Sequence, residues 1–161
     1  MKTKTIIIVR HAHRDKPHGR KADDGLSPKG KKQARALTKF LAKHLDQRPR
    51  ILTSPKARCQ ETIEPIAEKL KVKFDCAKEL MEHGDFDQQE SEEQFRRRVA
   101  DFCDSQMATP SPLTILCSHG DWIPVALEHL TGLELSLKKG GWAEIKIQNE
   151  TPHLTWLVQG L

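Results

Sequence analysis

Residues 5–11 read Thr5-Ile6-Ile7-Ile8-Val9-Arg10-His11, a β-branched run that ends on two basic side chains. Without alternation of polar and apolar positions, such a run suits a strand covered on both faces, as parallel sheets require. It predicts a buried strand over 5–9 that delivers Arg10 and His11 at its carboxyl end. The same order of strand, polar loop and helix recurs. Arg50–Thr53 reads as a short strand, followed by Ser54-Pro55 and an apolar stripe of Cys59, Ile63, Ile66 and Leu70. Leu113–Cys117 is a second continuous apolar strand, followed by Ser118-His119-Gly120 and a helix from about Asp121 to Thr131 that Gly132 stops.

The remaining segments fill in between these. After the charged loop 13–25, Ser27 caps a helix with Pro28 at its first position. Ala34, Leu37, Leu41 and Leu45 form the buried stripe of that helix, which is expected to end near Gln47. Ser54-Pro55 repeats the cap-plus-proline start, and Pro65 is expected to kink or split the second helix, since it offers no backbone donor. Val72 and Phe74 predict a short strand, and 79–89 reads as a loop. Ser91 and Gln94 form a capping box that opens a helix to about Met107, with Phe95, Val99, Phe102 and Cys103 inward. Ala143, Ile145 and Ile147, a turn at 149–152, and Leu154, Trp156 and Val158 predict an antiparallel hairpin. The expectation is an α/β chain: a three-layer αβα sandwich with a mainly parallel central sheet and an antiparallel C-terminal hairpin, in a single domain over 1–161.

Composition narrows the classes. The longest aliphatic run, Ile6–Val9, is far too short to span a bilayer, or to form the apolar region of a signal peptide. The expected location is the cytoplasm, with no membrane partner. Cys59, Cys76, Cys103 and Cys117 lie far apart with no C-x-x-C pair, so they read as reduced and mostly buried thiols. The net charge of +5, from 27 basic and 22 acidic residues, has the sign that nucleic acid attracts. The only dense cluster, Arg96-Arg97-Arg98, is offset by Glu90, Glu92, Glu93 and Asp101 and reads as a solvated helix face, so no nucleic-acid partner is expected. A modest positive surplus suits a small anionic substrate.

In open α/β sheets ligands bind outside the carboxyl ends of the strands. There the sequence puts Arg10-His11, Ser54 with Arg58 one helical turn on, and Ser118-His119. Guanidinium groups grip phosphate oxygens in a bidentate fork, helix N-termini add amides, and an imidazole can act as a nucleophile. The pattern is that of a site for a phosphoryl group.

These residues resemble those of the histidine phosphatase superfamily, which has the phosphoglycerate-mutase-like fold. Arg10-His11-Ala12 is similar to its opening Arg-His-Gly, with alanine in place of glycine. Leu26-Ser27-Pro28-Lys29-Gly30 matches its Leu-Ser/Thr-x-x-Gly helix start. Ser54 to Thr62 matches Ser-Pro-x-x-Arg-x-x-x-Thr in full, and Ser118-His119-Gly120 its late Ser-His-Gly. The resemblance implies that His11 is the nucleophile that becomes a phosphohistidine. It also implies that Arg10, Arg58 and His119 hold the equatorial oxygens, with Ser118 counted among the phosphate-binding residues. Leu80-Met81-Glu82 looks like the element that supplies the proton donor in many members, although Gly84 follows sooner than usual. Glu82 is assigned that role, with Glu79 and Asp85 as substitutes. Glu90-Ser91 resembles the Glu-Ser that precedes the family's next helix.

The reaction implied is metal-independent hydrolysis, with no cofactor, of a small phosphomonoester or of protein phosphohistidine. The short chain looks like the phosphohistidine phosphatases of the SixA type. An imidazole leaves with less acid assistance than an alkoxide, so a working Glu82 favours the ester. His13, Arg14, Arg20 and Lys21, in the charged loop beside the site, are candidate substrate contacts. Asp121 reads as a helix cap, Trp122 as pocket wall or core, and His44, His83, His129 and His153 as structural or solvent-facing. Two rival readings remain open: a metal-dependent hydrolase with His11, His13 and His119 as ligands, which leaves Arg10 and Arg58 without a task, and a noncatalytic phosphate-binding module.

Overall fold

A computed structural model of the chain describes residues 3–160. The opening run forms the interior of β1 (Lys4–Arg10), in which Ile6, Ile7, Ile8 and Val9 are wholly buried. With β2 (Arg50–Thr53), β3 (Phe74–Cys76), β4 (Leu113–Ser118), β5 (Trp142–Gln148) and β6 (Thr151–Val158) it makes one six-stranded sheet in the order β3-β2-β4-β1-β5-β6. The first four strands in this order run parallel, and the β5-β6 hairpin joins antiparallel to β1. The helices are α1 (Pro28–His44), α2 (Ala57–Leu70), α3 (Glu92–Ala108) and α4 (Trp122–Thr131).

The side chains of β1 divide between two cores. Ile6 and Ile8 pack with Phe95, Val99, Trp122 and Leu127 on the side of α3 and α4. Ile7 and Val9 pack with Leu37, Leu41, Cys59 and Ile63 on the side of α1 and α2. Each buried aliphatic side chain contributes about 1.5–3 kcal/mol, so neither face tolerates a polar residue, which is why the run does not alternate. β1 leads into α1 on one face while the adjacent β4 leads into α4 on the other. A crevice therefore opens at their carboxyl ends, where such sheets bind ligands.

Several local expectations are corrected. Helix α1 stops at His44, short of Gln47, because Leu45 turns to extended backbone. Helix α2 runs through Pro65 without being split. The bond lost there is one rung of a helix whose face buries Cys59, Thr62, Ile63, Ile66 and Ala67. Ser54 and Pro55 do not start α2; Lys56 occupies the cap position without a side-chain bond, and the Ser54 hydroxyl is used elsewhere. Strand β3 begins at Phe74, since the Val72 amide closes the end of α2 by donating to Ala67. The hairpin turns on Asn149 and Glu150 alone, both at positive φ, and β6 already begins at Thr151. Thr155 is an extra residue in β6, opposite Glu144/Ile145. This bulge turns Val158 to the α1/α2 core and stacks Trp156 on Trp142, whereas Leu154 packs on the α3/α4 side.

Cys59, Cys103 and Cys117 are buried and unpaired, while Cys76 is exposed. Among the described residues no helix is long and apolar enough to cross a membrane.

Candidate active site

The ends of three strands are laced together by main-chain bonds. Arg10 lies in register with Ser118, the His11 amide donates to the Ser118 carbonyl (3.1 Å), and the Ser54 amide donates to that of Cys117 (3.0 Å). His11, Arg58 and His119 meet there, all buried, with the two imidazole rings edge to face at 5.4 Å. His11 Nδ1 is 2.8 Å from the carbonyl of Ala12. A carbonyl can only accept, so Nδ1 carries the hydrogen and Nε2 keeps its lone pair. Burial first, and then the charges of His119, Arg58 and Arg10, push the His11 pKa down to about 3, although the bond to Ala12 opposes this. The ring is neutral across the physiological range.

Small residues and hydroxyls hold this frame. The Ala12 amide donates to Thr62 Oγ1 (3.0 Å), which in turn donates to the Arg58 carbonyl (2.7 Å), coupling the first loop to α2. Ala12 needs no positive φ, so alanine fits where a glycine is usual. Ser27 caps α1 by accepting from the Gly30 amide, and its hydroxyl lies 2.6 Å from His13 Nδ1. A Cβ on Gly30 would stand 1.9 Å from the His13 carbonyl, so only glycine lets α1 start this close to the loop. At Gly120 a Cβ would lie 2.7 Å from an Arg10 nitrogen; the glycine makes room for that guanidinium, whose Nη1 donates to the Leu137 carbonyl (2.8 Å).

Glu82 lies against the cations of the site. Its Oε1 accepts from Arg58 Nη2 at 2.8 Å and lies 3.1 Å from His119 Nδ1. His119 Nε2 is 2.8 Å from Ser54 Oγ. Burial opposes a charge on His119, but Cys59 and Glu82 outweigh it and raise its pKa to about 9. Since burial pushes the Cys59 thiol well above its ordinary value and keeps it neutral, the Glu82 carboxylate is the partner that matters at neutral pH. His119 and Arg58 in turn hold the Glu82 carboxyl well below the usual carboxylate range, against the effect of burial.

These shifts fix the dependence of stability on pH. The unfolded pKa of both histidines is near 6.5. Stability from His119 is fully present below pH 6.5 and is lost as pH rises through about 9. His11 acts in the opposite sense, because below pH 6.5 the unfolded chain takes up a proton that the folded one refuses until about pH 3. Calorimetry is expected to give the highest Tm near pH 6.5, and His119→Gln to flatten the alkaline fall. A Tm unchanged between pH 6.5 and 9 in the wild type would contradict this account.

The segment that carries Glu82 is clamped by Arg98, which corrects the expectation of a solvated face over 96–98. Arg96 and Arg97 are exposed and pair with Glu92 and Glu93 one turn earlier. Arg98 is buried. It forks onto both oxygens of Glu90 (2.7 and 2.8 Å) and donates to the carbonyls of Glu79, Met81 and Glu82 at 2.9, 2.9 and 3.3 Å. Its plane also lies over Phe86 and Phe95. Next to Glu82, the His83 ring stacks on Phe95 and donates to the Glu90 carbonyl. Removing one member of a buried pair leaves the other charge uncompensated, at a cost of about 3–5 kcal/mol. Arg98→Ala is therefore expected to lower unfolding free energy by about 3 kcal/mol in urea titration, and Arg98→Lys to restore little of it, since an ammonium cannot reproduce the fork.

The other candidates are placed as follows. Ser118 does not face the crevice; its hydroxyl donates to the Leu80 carbonyl (2.6 Å) and ties the Glu82 segment to β4. His13 is held by Ser27, and buried Arg14 donates to the Arg20 carbonyl, so both shape the charged loop; Arg20 and Lys21 are exposed on it. Asp85 pairs with Lys56 (3.7 Å), and Glu79 contributes its carbonyl to Arg98 and to Trp122 Nε1. Of the three acidic candidates, Glu82 is the one at the histidines. Trp122 belongs to the core, and Asp121 makes no cap bond but accepts from the His83 amide (2.9 Å). Ser54 and Thr62 contribute through their hydroxyls.

One atom from each of His11, Glu82 and His119 could converge on a cation, all within 4.8 Å of one another; His13 does not belong to that group. The donor set fits a metal poorly, because Glu82 already serves two cationic partners and His119 would have to give up its proton.

Comparison with known proteins bears on the fold and the family. No curated protein matches the sequence significantly. Among solved structures, the α-ribazole phosphatase of Shigella flexneri superposes with a TM-score of 0.77 at 17% identity, over 97% of this chain and 96% of that one. The protein histidine phosphatase SixA, complexed with tungstate, gives 0.76 at 17% identity over 96% of each chain. A mycobacterial glucosyl-3-phosphoglycerate phosphatase gives 0.76 at 15% identity, over 99% of this chain and 100% of the other. At these identities the likeness speaks for the fold. The family itself follows from the sequence model of the histidine phosphatase superfamily, branch 1, which matches residues 6–89. That span holds most of β1 and the Arg10-His11 pair at its end, the Ser27-capped helix, Arg58 and Glu82, and by this match the chain belongs to the histidine phosphatase superfamily.

Proposed function

We propose that this chain is a metal-independent phosphatase of the cytoplasm, acting on a phosphomonoester or on protein phosphohistidine, with His11 as nucleophile. The observation that carries the reading is the fixed tautomer of His11, which leaves Nε2 its lone pair on a buried ring that feels the charges of His119, Arg58 and Arg10. Attack of Nε2 on phosphorus forms the P–N bond as the bond to the leaving group breaks, and the guanidinium groups and imidazolium take up the spread negative charge. Water then attacks phosphorus, the P–N bond breaks, and neutral His11 and inorganic phosphate are released. Three buried, unpaired thiols fit a reducing compartment.

Glu82 Oε1 stands where a phosphoryl oxygen would bind, between Arg58 and His119. While paired with them it is ionised and has no proton to give. An arriving phosphate takes over both cations, and its own negative charge then favours protonation of the displaced carboxyl. Glu82 thus becomes an acid only when substrate is present, protonating the leaving oxygen and later taking a proton from water. The test is hydrolysis of an aryl phosphate with and without EDTA. Rates equal in both are expected, whereas loss with chelator and recovery with added divalent metal would favour a metal held by His11, Glu82 and His119.

A further inference from the structure

We propose that the cleft on the far side of Arg10, lined by Lys29, Lys138 and Lys139, binds a second anionic group of the substrate, so that the preferred leaving group itself carries a phosphate or a carboxylate. The inference rests on the phosphatase reading and deepens it by naming the substrate class. The cleft has a volume of about 350 Å³ and shares Arg10 and His13 with the loop of the nucleophile. No acidic side chain lines it. Among the described residues, no carboxylate pairs with Arg10, Lys29, Lys138 or Lys139, although most other buried or half-buried charges of the site do pair. Arg10 lines the cleft with its guanidinium packed against Gly120 and its Nη1 held by the Leu137 carbonyl, so its charge stands in the wall at a fixed place.

The walls are tied to the catalytic strand. The Gly140 amide donates to the carbonyls of Arg10 and His11 (3.2 Å each), the Lys138 amide donates to Gln159 Oε1 (2.8 Å), and the His13 amide donates to Gln33 Oε1 (2.8 Å). At positive φ, Gly140 packs where a Cβ would press within 3.3 Å of Gln33. The lysine-bearing loop therefore keeps a fixed offset from His11. Burial first, and then Lys16, Arg10, Arg14 and Lys29, push the Lys139 pKa down, as expected of an ammonium among like charges with no counter-ion. A concentration of uncompensated cations beside a phosphoryl pocket favours a ligand with two separated negative groups over one with a single group.

The experiment is calorimetric titration of the full chain with α,ω-alkane bisphosphonates of two to six carbons, ω-carboxyalkyl phosphonates of the same lengths, and matched alkyl monophosphonates. Wild type is expected to bind at least one two-anion ligand ten or more times more tightly than its monophosphonate, at a preferred length. The bisphosphonate and carboxylate arms distinguish which second anion is preferred. The triple variant Lys29→Gln/Lys138→Gln/Lys139→Gln should lose that preference while hydrolysing an aryl phosphate within twofold of wild type. Each single variant should lose part of it, which keeps the test usable if the triple variant folds poorly. No gain at any length, or a gain that the substitutions leave intact, overturns the proposal. If wild type hydrolyses no phosphate ester yet keeps the lysine-dependent preference, the phosphatase reading fails and the second anion site stands.

Discussion

His11→Ala is expected to lower kcat for an aryl phosphate on the order of 10⁴-fold or more, with little change in Tm. The magnitude is that of deleting a nucleophile from a site whose other members act only through it. Nothing else in the crevice can replace it. His119 is the only other imidazole in the cluster, and its two nitrogens are committed to Ser54 and Glu82 with a proton on each. Cys59, 3.6 Å from His119, is held as a neutral thiol. Wild type rapidly quenched in alkali during turnover should carry a phosphoryl group that is stable to base and labile to acid, and His11→Ala should carry none. A variant that keeps a tenth of the wild-type rate, or a wild-type adduct that survives acid, would remove His11 from the role of nucleophile. Tm should change little because the backbone bonds that join β1, β4 and Ser54 do not involve the ring.

The parts of this arrangement legible in the sequence are those set by periodicity and by strand ends. The unbroken Ile6–Val9 run specified a strand covered on both faces, and it fixed where Arg10 and His11 emerge; register with β4 did the rest. The capping box at Ser91 and Gln94 was legible for the same reason, being a local pattern with a local cause. What could not be read depends on contacts between distant segments. Arg98 stands in a row of three arginines, and only the packing of α3 against the Glu79–Glu90 segment decides that it turns inward while Arg96 and Arg97 pair on the surface. Its signal was the preceding Glu90 together with the inward face set by Phe95, Val99 and Phe102, since Arg98 lies three residues beyond Phe95 on that face. Ser54 looked like a cap because Ser-Pro often is one, but the chain bends at 55–56, Lys56 takes the cap position, and the Ser54 hydroxyl is left for His119. The bulge at Thr155 exchanges one alternating pattern for another of the same appearance, so no reading of polarity alone would find it.

Glu82→Gln is expected to move binding and catalysis in opposite directions. In the empty site the carboxylate competes with phosphate for Arg58 and His119. The amide is isosteric and still accepts from Arg58, but its charge is gone, so an arriving anion displaces a weaker partner. Inorganic phosphate or vanadate should bind about tenfold more tightly to the variant, which corresponds to roughly 1.4 kcal/mol. Catalysis should suffer because an amide neither donates a proton to an alkoxide nor accepts one from water. An alkyl phosphate is expected to lose about 10²–10⁴ in kcat, in the range of general acid catalysis. An aryl phosphate with an acidic phenol needs less help in the first step and should lose less in kcat/KM. Removing the carboxylate also removes the charge that raises His119, so the alkaline limb of kcat/KM should move from near pH 9 toward lower pH. Weaker phosphate binding in the variant would show that Glu82 recruits the anion instead of competing with it. Equal losses for alkyl and aryl substrates would show that the carboxyl orders the two cations and leaves the proton to another group, for which Asp121, an exposed residue nearby whose carboxyl is shifted up by desolvation, would be the first to substitute.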